Sequence, residues 1–551
     1  MNQGTVKINS GVFIQVVLIL ILTGLITCIL VMSTVPPVSR DALTHHLAVP
    51  KLWIKAGGII EMPDIVFSYY PMNIDLLYAL PLLFGNDIIP KYIHFAFALG
   101  TSWMIYLYLA KRTTRTLALF GVLLFLSTPI IIALCISAYV DLGLIFFSWG
   151  AFYYLLEWRI EPDRIAKLIV SAVFCGLGLG TKYNGLLVFF LLTLFVPIVY
   201  IRAQNQRHSQ VIKAIAYPIL FTIVAMTVFS PWMIRNYRLT DNPVFPLYDR
   251  LFKPDNIEAN NSSVSLNPWT KRKLIYKESF WDTLAIPIRI FFQGKDDNPK
   301  YFDGRLNPIL IMLPFLILLR PRNVCPSLKV ENALLAIFVV LYILYASFIV
   351  DMRIRYISPV LPPLVILCVM GCHAVKEKIS AISNNIIKSV VWWSFSGTIA
   401  FFLFLNADYL INLYKVIDPI PYLTGKCSRE SYLNNKMPDY ATITYANRII
   451  DGQMKILAVF MGNRRYYFEK DVVFGISSFQ ETVINAPANS RLGKILINNH
   501  YTHLMIGITL FEKWANGIFN DDQNRKIAQL VHEDCRLLFT KNGYALFQIT
   551  P

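Results

Sequence analysis

Eleven mostly apolar stretches, each close to the length that crosses a bilayer, constrain this 551-residue chain more than any other feature. A spanning helix needs about 20 such residues, and the runs fall near 12–32, 88–109, 116–136, 139–157, 165–181, 184–201, 212–232, 306–320, 332–350, 356–373 and 387–405. Inside lipid every backbone polar group must be satisfied within the segment, so runs of this kind fold as helices. Charged residues are 15% of the chain and hydrophobic ones 55%, whereas a soluble domain carries about 25% charge. That balance excludes a cytosolic enzyme, a disordered chain and a disulfide scaffold. The first run has a long core and no small-x-small site before Ser33, so it reads as a retained span, not a cleaved leader.

The net charge of +17 has a membrane explanation. With a cytoplasmic N-terminus, alternate short loops carry Lys111, Arg112 and Arg115; Arg159, Arg164 and Lys167; Arg202, Arg207 and Lys213; Arg320, Arg322 and Lys329; and Lys376, Lys378 and Lys388. The opposite short connections, 137–139, 181–184 and 351–355, hold only Lys182, Arg353 and Arg355. This bias is the positive-inside pattern, and it needs no nucleic-acid partner. It predicts a multi-pass membrane protein with loops 33–87 and 233–305 and the tail on the extracytoplasmic face, the periplasm if the membrane is a bacterial inner membrane.

The reading divides the chain into a transmembrane domain, 1–405, and a C-terminal extracytoplasmic α/β domain, 406–551. In the tail, Ile456–Met461, Leu504–Leu510 and Ala545–Thr550 read as short buried strands, with a hairpin turn at Lys541-Asn542-Gly543. Helical patterns near 441–451, 488–498 and 522–533 alternate with them. In the first outer loop, 42–57 and Leu76–Phe84 read as short helices. Cys28, Cys135, Cys175, Cys368 and Cys372 lie in apolar runs as small hydrophobes, while Cys427 and Cys535 form the one pair that an oxidising compartment could bridge. Sequons at Asn260 and Asn261 matter only in a eukaryotic secretory lumen.

Charges are expensive in membranes, so the informative residues are polar groups at the outer ends of spans. Asp41 follows the first span beside His45 and His46. Asp141 opens the fourth, Lys182 sits in the tight turn after Gly178-Leu179-Gly180-Thr181, Arg235 and Arg238 follow Pro231-Trp232, and Arg353, Arg355 and Tyr356 precede the tenth. Each has a plain alternative. Asp41 and Asp141 suit helix N-caps, and Arg235, Arg238 and Arg353 suit headgroup anchors. Asp41 and His45, four residues apart on one helical face, could share a divalent metal if a third ligand joined them.

By parity these groups converge on one face. Fixed cations in a water-poor cleft stabilise a departing phosphate, and a positioned carboxylate takes the proton of an attacking acceptor. Tyr69, Tyr70, Tyr183 and Tyr356 could stack on a sugar ring. These residues suit transfer of a sugar from a lipid phosphate. A transporter or flippase of lipid-linked sugars, a polytopic scaffold and an oligosaccharide ligase are the competing readings. No internal symmetry of the kind transporters show is visible.

Four passages resemble the GT-C superfamily of polytopic glycosyltransferases that use polyprenyl-phosphate sugars. The branch is the bacterial one of the lipid A aminoarabinose transferase and relatives of protein O-mannosyltransferases. The passages are Asp41 with His45-His46-Leu47 and then Tyr69-Tyr70-Pro71; Tyr139-Val140-Asp141; Gly176-Leu177-Gly178-Leu179-Gly180-Thr181-Lys182-Tyr183; and Arg353-Ile354-Arg355-Tyr356 running to Pro362. Arg464-Arg465-Tyr466-Tyr467-Phe468 in the tail is similar to a segment of such enzymes' soluble domains. The resemblance implies that Asp41 is the acceptor-activating base or a metal ligand. It also implies that Asp141 is a second acid of the same cleft, that Lys182 lies near the donor, and that Arg353 and Arg355 hold the lipid phosphate. The partners it implies are a polyprenyl-phosphate sugar and a glycolipid, polysaccharide or protein acceptor, with inversion at the anomeric carbon. One position departs: where the aminoarabinose transferases carry a phosphate-contacting lysine before the first-loop proline, this chain has Tyr70.

Overall fold

The computed structural model describes residues 10–203, 211–253, 267–319, 326–449, 455–487 and 490–550. Arg207, Arg320, Arg322 and the sequons at Asn260 and Asn261 lie outside them. All eleven apolar runs fall on helices, in three forms. Seven described helices are long and apolar enough to cross a membrane: Gly11–Met32, Ile89–Ala110, Gly185–Ala203, Val211–Thr240, Leu328–Phe348, Ile354–Ser380 and Asn385–Ile417. The run at 116–136 is a broken span, Arg115–Ser127 and Pro129–Cys135, bent by 67°. Pro129 has no N–H to continue the ladder, and the residue before a proline avoids the α region, so Thr128 turns extended (ψ 127°). The run at 139–157 is the unbroken helix Asp141–Ile160. Those at 165–181 and 306–320 are shorter, Ile165–Leu179 and Ile309–Leu319, the latter interrupted by Pro314.

Burial grades these helices by position. The tenth run, Ile354–Ser380, is 94% buried over its apolar window, whereas the last, Asn385–Ile417, is 6% buried. An all-round apolar helix exposed this way has lipid as its partner. That last helix also runs on through 405, the boundary read between the two domains, and ends only at Ile417, where Asp418 adopts a left-handed conformation.

The two ends of the bundle differ in chemistry. At one end the basic loops meet buried acids: Glu331 accepts from Arg112 Nε at 2.6 Å, Arg159 at 3.0 Å and the Tyr108 hydroxyl at 2.7 Å. Lys111 reaches Glu157 at 3.0 Å. At the other end lie the first loop, the turns at 137–140, 181–184 and 351–355, and the tail.

In the first loop the expected 42–57 helix is split. Ala42–His46 forms one wide π-type turn, closed by Leu47 N–H donating to Ala42 O at 2.9 Å, and an α-helix follows over Ala48–Ala56. Pro50 lacks the N–H that would have bonded the carbonyl of His46, which favours the break at this point. Such turns concentrate at functional sites. The stretch Leu76–Phe84 lies in the helix Asn73–Leu83.

The tail holds a five-stranded sheet in the order β2-β1-β3-β5-β4, with β1 Lys455–Val459, β2 Asp471–Phe474, β3 His503–Gly507, β4 Cys535–Lys541 and β5 Tyr544–Ile549. Strands β2, β1 and β3 are parallel, and β5 joins β3 and β4 antiparallel. The central β3 is buried along its whole length, as parallel strands covered on both faces must be. The three expected strands are β1, β3 and β5, except that Ile508–Leu510 begins the helix Ile508–Ile518. The turn at Lys541-Asn542-Gly543 joins β4 and β5, with Asn542 and Gly543 both at positive φ. Cys427 and Cys535 are both free thiols, so no bridge joins them: Cys427 lies between two short helices and Cys535 opens the outer strand β4.

The tail docks on the first loop through specific bonds. Tyr466 N–H donates to Leu43 O at 2.9 Å, Tyr467 to Pro37 O at 2.8 Å, and Lys51 to Tyr466 O at 2.9 Å. Arg429 grips the buried Asp87 through both carboxylate oxygens.

Candidate functional site

Where the tail, the first loop and the ends of several spans meet, they enclose a cavity of about 1300 Å³. Of the residues singled out in the sequence, Asp41, His45, His46, Tyr70, Lys182, Tyr183, Arg353, Arg355 and Tyr356 all line it. The distant sequence positions share one wall because the helix Asn73–Leu83 is stitched to the lysine turn. Asn73 N–H donates to Gly180 O at 2.9 Å, and a Cβ at Gly180 would stand 2.1 Å from the Asn73 side-chain nitrogen. Glycine there leaves the space that the Asn73 side chain fills.

Two ion pairs define the electrostatics. Arg355 Nη1 lies 2.5 Å from Asp41 Oδ2, and Lys182 Nζ lies 2.7 Å from Asp141 Oδ1. The Arg355 guanidinium sits between the rings of Tyr139 and Tyr356, at 5.4 and 5.5 Å from their centres, and Lys182 Nζ is 5.4 Å from the Tyr356 ring. Such contacts favour a cation held away from water. Burial acts to raise the Asp41 carboxyl, but Arg355 outweighs it and holds the group well below the usual carboxylate range.

Asp141 stands behind the wall. It is 1% exposed, opens its helix without bonding its backbone amides, and reaches the cavity only through Lys182. The N-cap alternative therefore does not describe its side chain. Its Oδ2 has no hydrogen-bond partner among the described residues. The cap alternative for Asp41 is likewise unmet, since its side chain makes no capping bond. Arg353 bonds Asp303 at 3.3 Å on the cavity rim.

Tyr69 and Arg235 stand apart from the cavity. Tyr69 donates to Glu61 at 2.6 Å, and Arg235 bonds Asn236 at 3.2 Å while lying 5.9 Å from the Tyr69 ring. Asn236 in turn donates to Tyr69 O at 2.8 Å. This cluster braces the long helix Val211–Thr240 against the first loop. The described residues include no group of three or more acids, thiols or imidazoles placed to hold a metal ion. Asp41 is committed to Arg355, and His45 bonds Thr44 at 2.8 Å and stacks on Phe67 at 4.5 Å.

Sequence reasoning missed Asp75. It is 1% exposed, sits in the first turn of the helix Asn73–Leu83, and its Oδ1 lies 2.7 Å from His46 Nδ1. An acid inside the otherwise apolar stretch from Ile74 to Phe84 was the available signal. Lys436, Arg464 and Arg465 from the tail also line the cavity, which gives the Arg464-Arg465 segment a position beside the other site residues.

Residues 73–234 match the family described as dolichyl-phosphate-mannose-protein mannosyltransferase, a segment that holds Asp141 and Lys182. No curated protein sequence matches the chain. The crystal structure of ArnT from Cupriavidus metallidurans bound to undecaprenyl phosphate is similar over 96% of this chain and 97% of that one, with a TM-score of 0.54 at 13% identity. The apo form of the same protein gives 0.52 at the same identity and coverage. The fold is thus the GT-C fold, a helical membrane bundle with a small C-terminal sheet domain. The match to the mannosyltransferase family is confined to residues 73–234, and the likeness over the rest of the chain is one of fold.

Proposed function

We propose that this protein moves a sugar from a polyprenyl-phosphate donor to an acceptor hydroxyl or amine, within the cavity between its spans and its tail. The single observation that carries the reading is the meeting of two cation–carboxylate pairs, Arg355–Asp41 and Lys182–Asp141, at one cavity beside the membrane. Breaking the bond between the anomeric carbon and the phosphate leaves negative charge on the lipid phosphate. Arg355 and Lys182, with Arg353 at the rim, are the groups that stabilise it. Asp41 and Asp141 hold those cations in place. Tyr70, Tyr183 and Tyr356 offer faces for the sugar. Tyr70 stands where the resembling transferases have a lysine, so Lys182 and Arg355 carry the phosphate role here.

Positive-inside charge supports a cavity and tail on the extracytoplasmic face of a bacterial inner membrane. The acceptor is a glycolipid, polysaccharide or protein reached from that side. Attack opposite the departing phosphate inverts the anomeric centre.

The test is transfer by the purified full chain in detergent, supplied with undecaprenyl-phosphate-linked pentoses and hexoses and with envelope membranes as acceptor. Release of undecaprenyl phosphate with labelled sugar on the acceptor is the expected result, lost in Lys182→Met and Asp41→Asn. A flippase would leave the donor intact in detergent, and that outcome would overturn the reading.

A further inference from the structure

Asp41, the acid expected to act as base, and Asp141 behind the wall are both committed to cations, which leaves open what receives the acceptor's proton. Asp41 is held at 2.5 Å by Arg355, and Asp141 at 2.7 Å by Lys182 behind the wall. A carboxylate held by a guanidinium has its lone pairs engaged by that cation and is poorly placed to accept the acceptor's proton. A third acid, Asp75, has no lysine or arginine within ion-pairing distance among the described residues. It faces an imidazole.

We propose, resting on the transfer reading above, that His46 takes the proton of the incoming hydroxyl or amine, and that Asp75 is the positioning residue that orients it. His46 Nδ1 lies 2.7 Å from Asp75 Oδ1. With Nδ1 occupied, Nε2 is the nitrogen left to receive a proton, and both residues line the cavity. The arrangement follows the logic by which an acid behind an imidazole fixes its tautomer and stabilises the imidazolium that forms. His46 is held in place by more than this bond. It is the last residue of the π-type turn over Ala42–His46, its ring is 4.0 Å from that of His45, and the Tyr139 ring lies 5.8 Å away. Asp75 is fixed by its helix, whose Ile74 lies against Gly143 of the span that begins with Asp141.

The step balances as follows. The acceptor oxygen or nitrogen forms a bond to the anomeric carbon as its proton passes to His46 Nε2. The carbon–oxygen bond to the phosphate breaks, and the electron pair leaves with the polyprenyl phosphate. Afterwards the imidazolium, paired with the Asp75 carboxylate, returns its proton to water.

The surroundings set the pH behaviour. The groups acting on the pair are Asp41 and His45 from the first loop, Tyr78 from the helix of Asp75, His94 and Asp141 from the spans, and Lys182 and Arg355 from the turns between spans. Burial pushes the Asp75 carboxyl up to about 7 and the His46 imidazole down to about 3. Below neutrality the Asp75 O–H donates to Nδ1 and the ring proton sits on Nε2, which closes the base. Above it, Nδ1–H donates to the carboxylate and Nε2 is free.

Two measurements test this on the full chain in detergent. The first is nitrogen NMR of labelled histidine, with His46 assigned by the signal missing from His46→Asn. The expected result is a shift of the ring proton from Nε2 to Nδ1 as pH rises through about 7, abolished in Asp75→Asn. A His46 tautomer indifferent to Asp75→Asn overturns the proposal and leaves the transfer reading standing. The second is transfer from whichever undecaprenyl-phosphate sugar the wild-type chain accepts. His46→Asn keeps a donor toward Asp75 but lacks Nε2, and should lower kcat by roughly 10²–10⁴-fold with little change in donor KM. Asp75→Asn should remove the acid limb of the pH profile, and Asp75→Glu should restore part of the rate. Wild-type kcat in His46→Asn overturns the proposal. A wild-type chain that transfers no sugar overturns the transfer reading itself, and the role of His46 with it.

Discussion

Lys182 Nζ and Asp141 Oδ1, 41 residues apart in sequence, meet at 2.7 Å, with the acid almost wholly buried and the lysine at the cavity wall. Removing one partner of such a pair costs more than removing both, because the survivor is left charged out of water. Lys182→Met should therefore destabilise the protein by about 3 kcal/mol. The double variant with Asp141→Asn should recover most of that loss without recovering transfer. Thermal unfolding in detergent, with the transfer assay alongside, separates the two effects.

Asp75 makes stability depend on pH. Its carboxyl is raised in the folded protein to about 7, so the fold favours the protonated form. The contribution is complete below the ordinary carboxylate pKa of about 4 and is lost as pH rises through about 7. Melting temperatures of wild type should fall across that window relative to Asp75→Asn, which keeps only the opposing contribution of the buried His46 imidazole.

Gly180 allows the lysine turn to lie against Asn73, and a Cβ there would come within 2.1 Å of the Asn73 side chain. Gly180→Ala should lower transfer through a shifted Lys182 while leaving the protein folded and membrane-inserted. Pairing it with Asn73→Ala should restore part of the activity, which a rate comparison of the single and double variants would reveal.

Sidedness can be read directly. Arg40 lines the cavity, and Lys111 sits among the basic loops at the other end of the bundle. Cysteine placed at 40 should react with an impermeant maleimide in intact cells, whereas cysteine at 111 should react only after permeabilisation. The reverse pattern would invert the orientation.

Much of this architecture is written in hydropathy. Apolar runs of spanning length locate the seven described helices long enough to cross a membrane and the broken pair, and short continuous apolar runs at Ile456, Leu504 and Ala545 locate the three best-buried strands. What escaped was local or non-local. The edge strands β2 and β4 are short or half-exposed, so they lack the apolar signal. The π-type turn at Ala42–His46 depends on Pro50 and on packing, which residue spacing does not encode. The cavity residues Asp41, Lys182 and Arg355 were legible because charges beside lipid stand out. Asp75 did not stand out, since its significance lies in meeting His46, a residue 29 positions away. Tyr69 and Arg235 looked equivalent to their neighbours in sequence, but they brace the wall from behind.

The bond between Arg355 and Asp41 has a kinetic corollary. Any anion that reaches the guanidinium meets a resident rival, since the carboxylate is tethered to the same scaffold and never diffuses away. Arrival of a phosphate has to displace that rival, and the rival is at hand to displace the phosphate in turn. On the transfer reading proposed above, a site built this way gives up some affinity for a lipid phosphate and gains speed in letting it go.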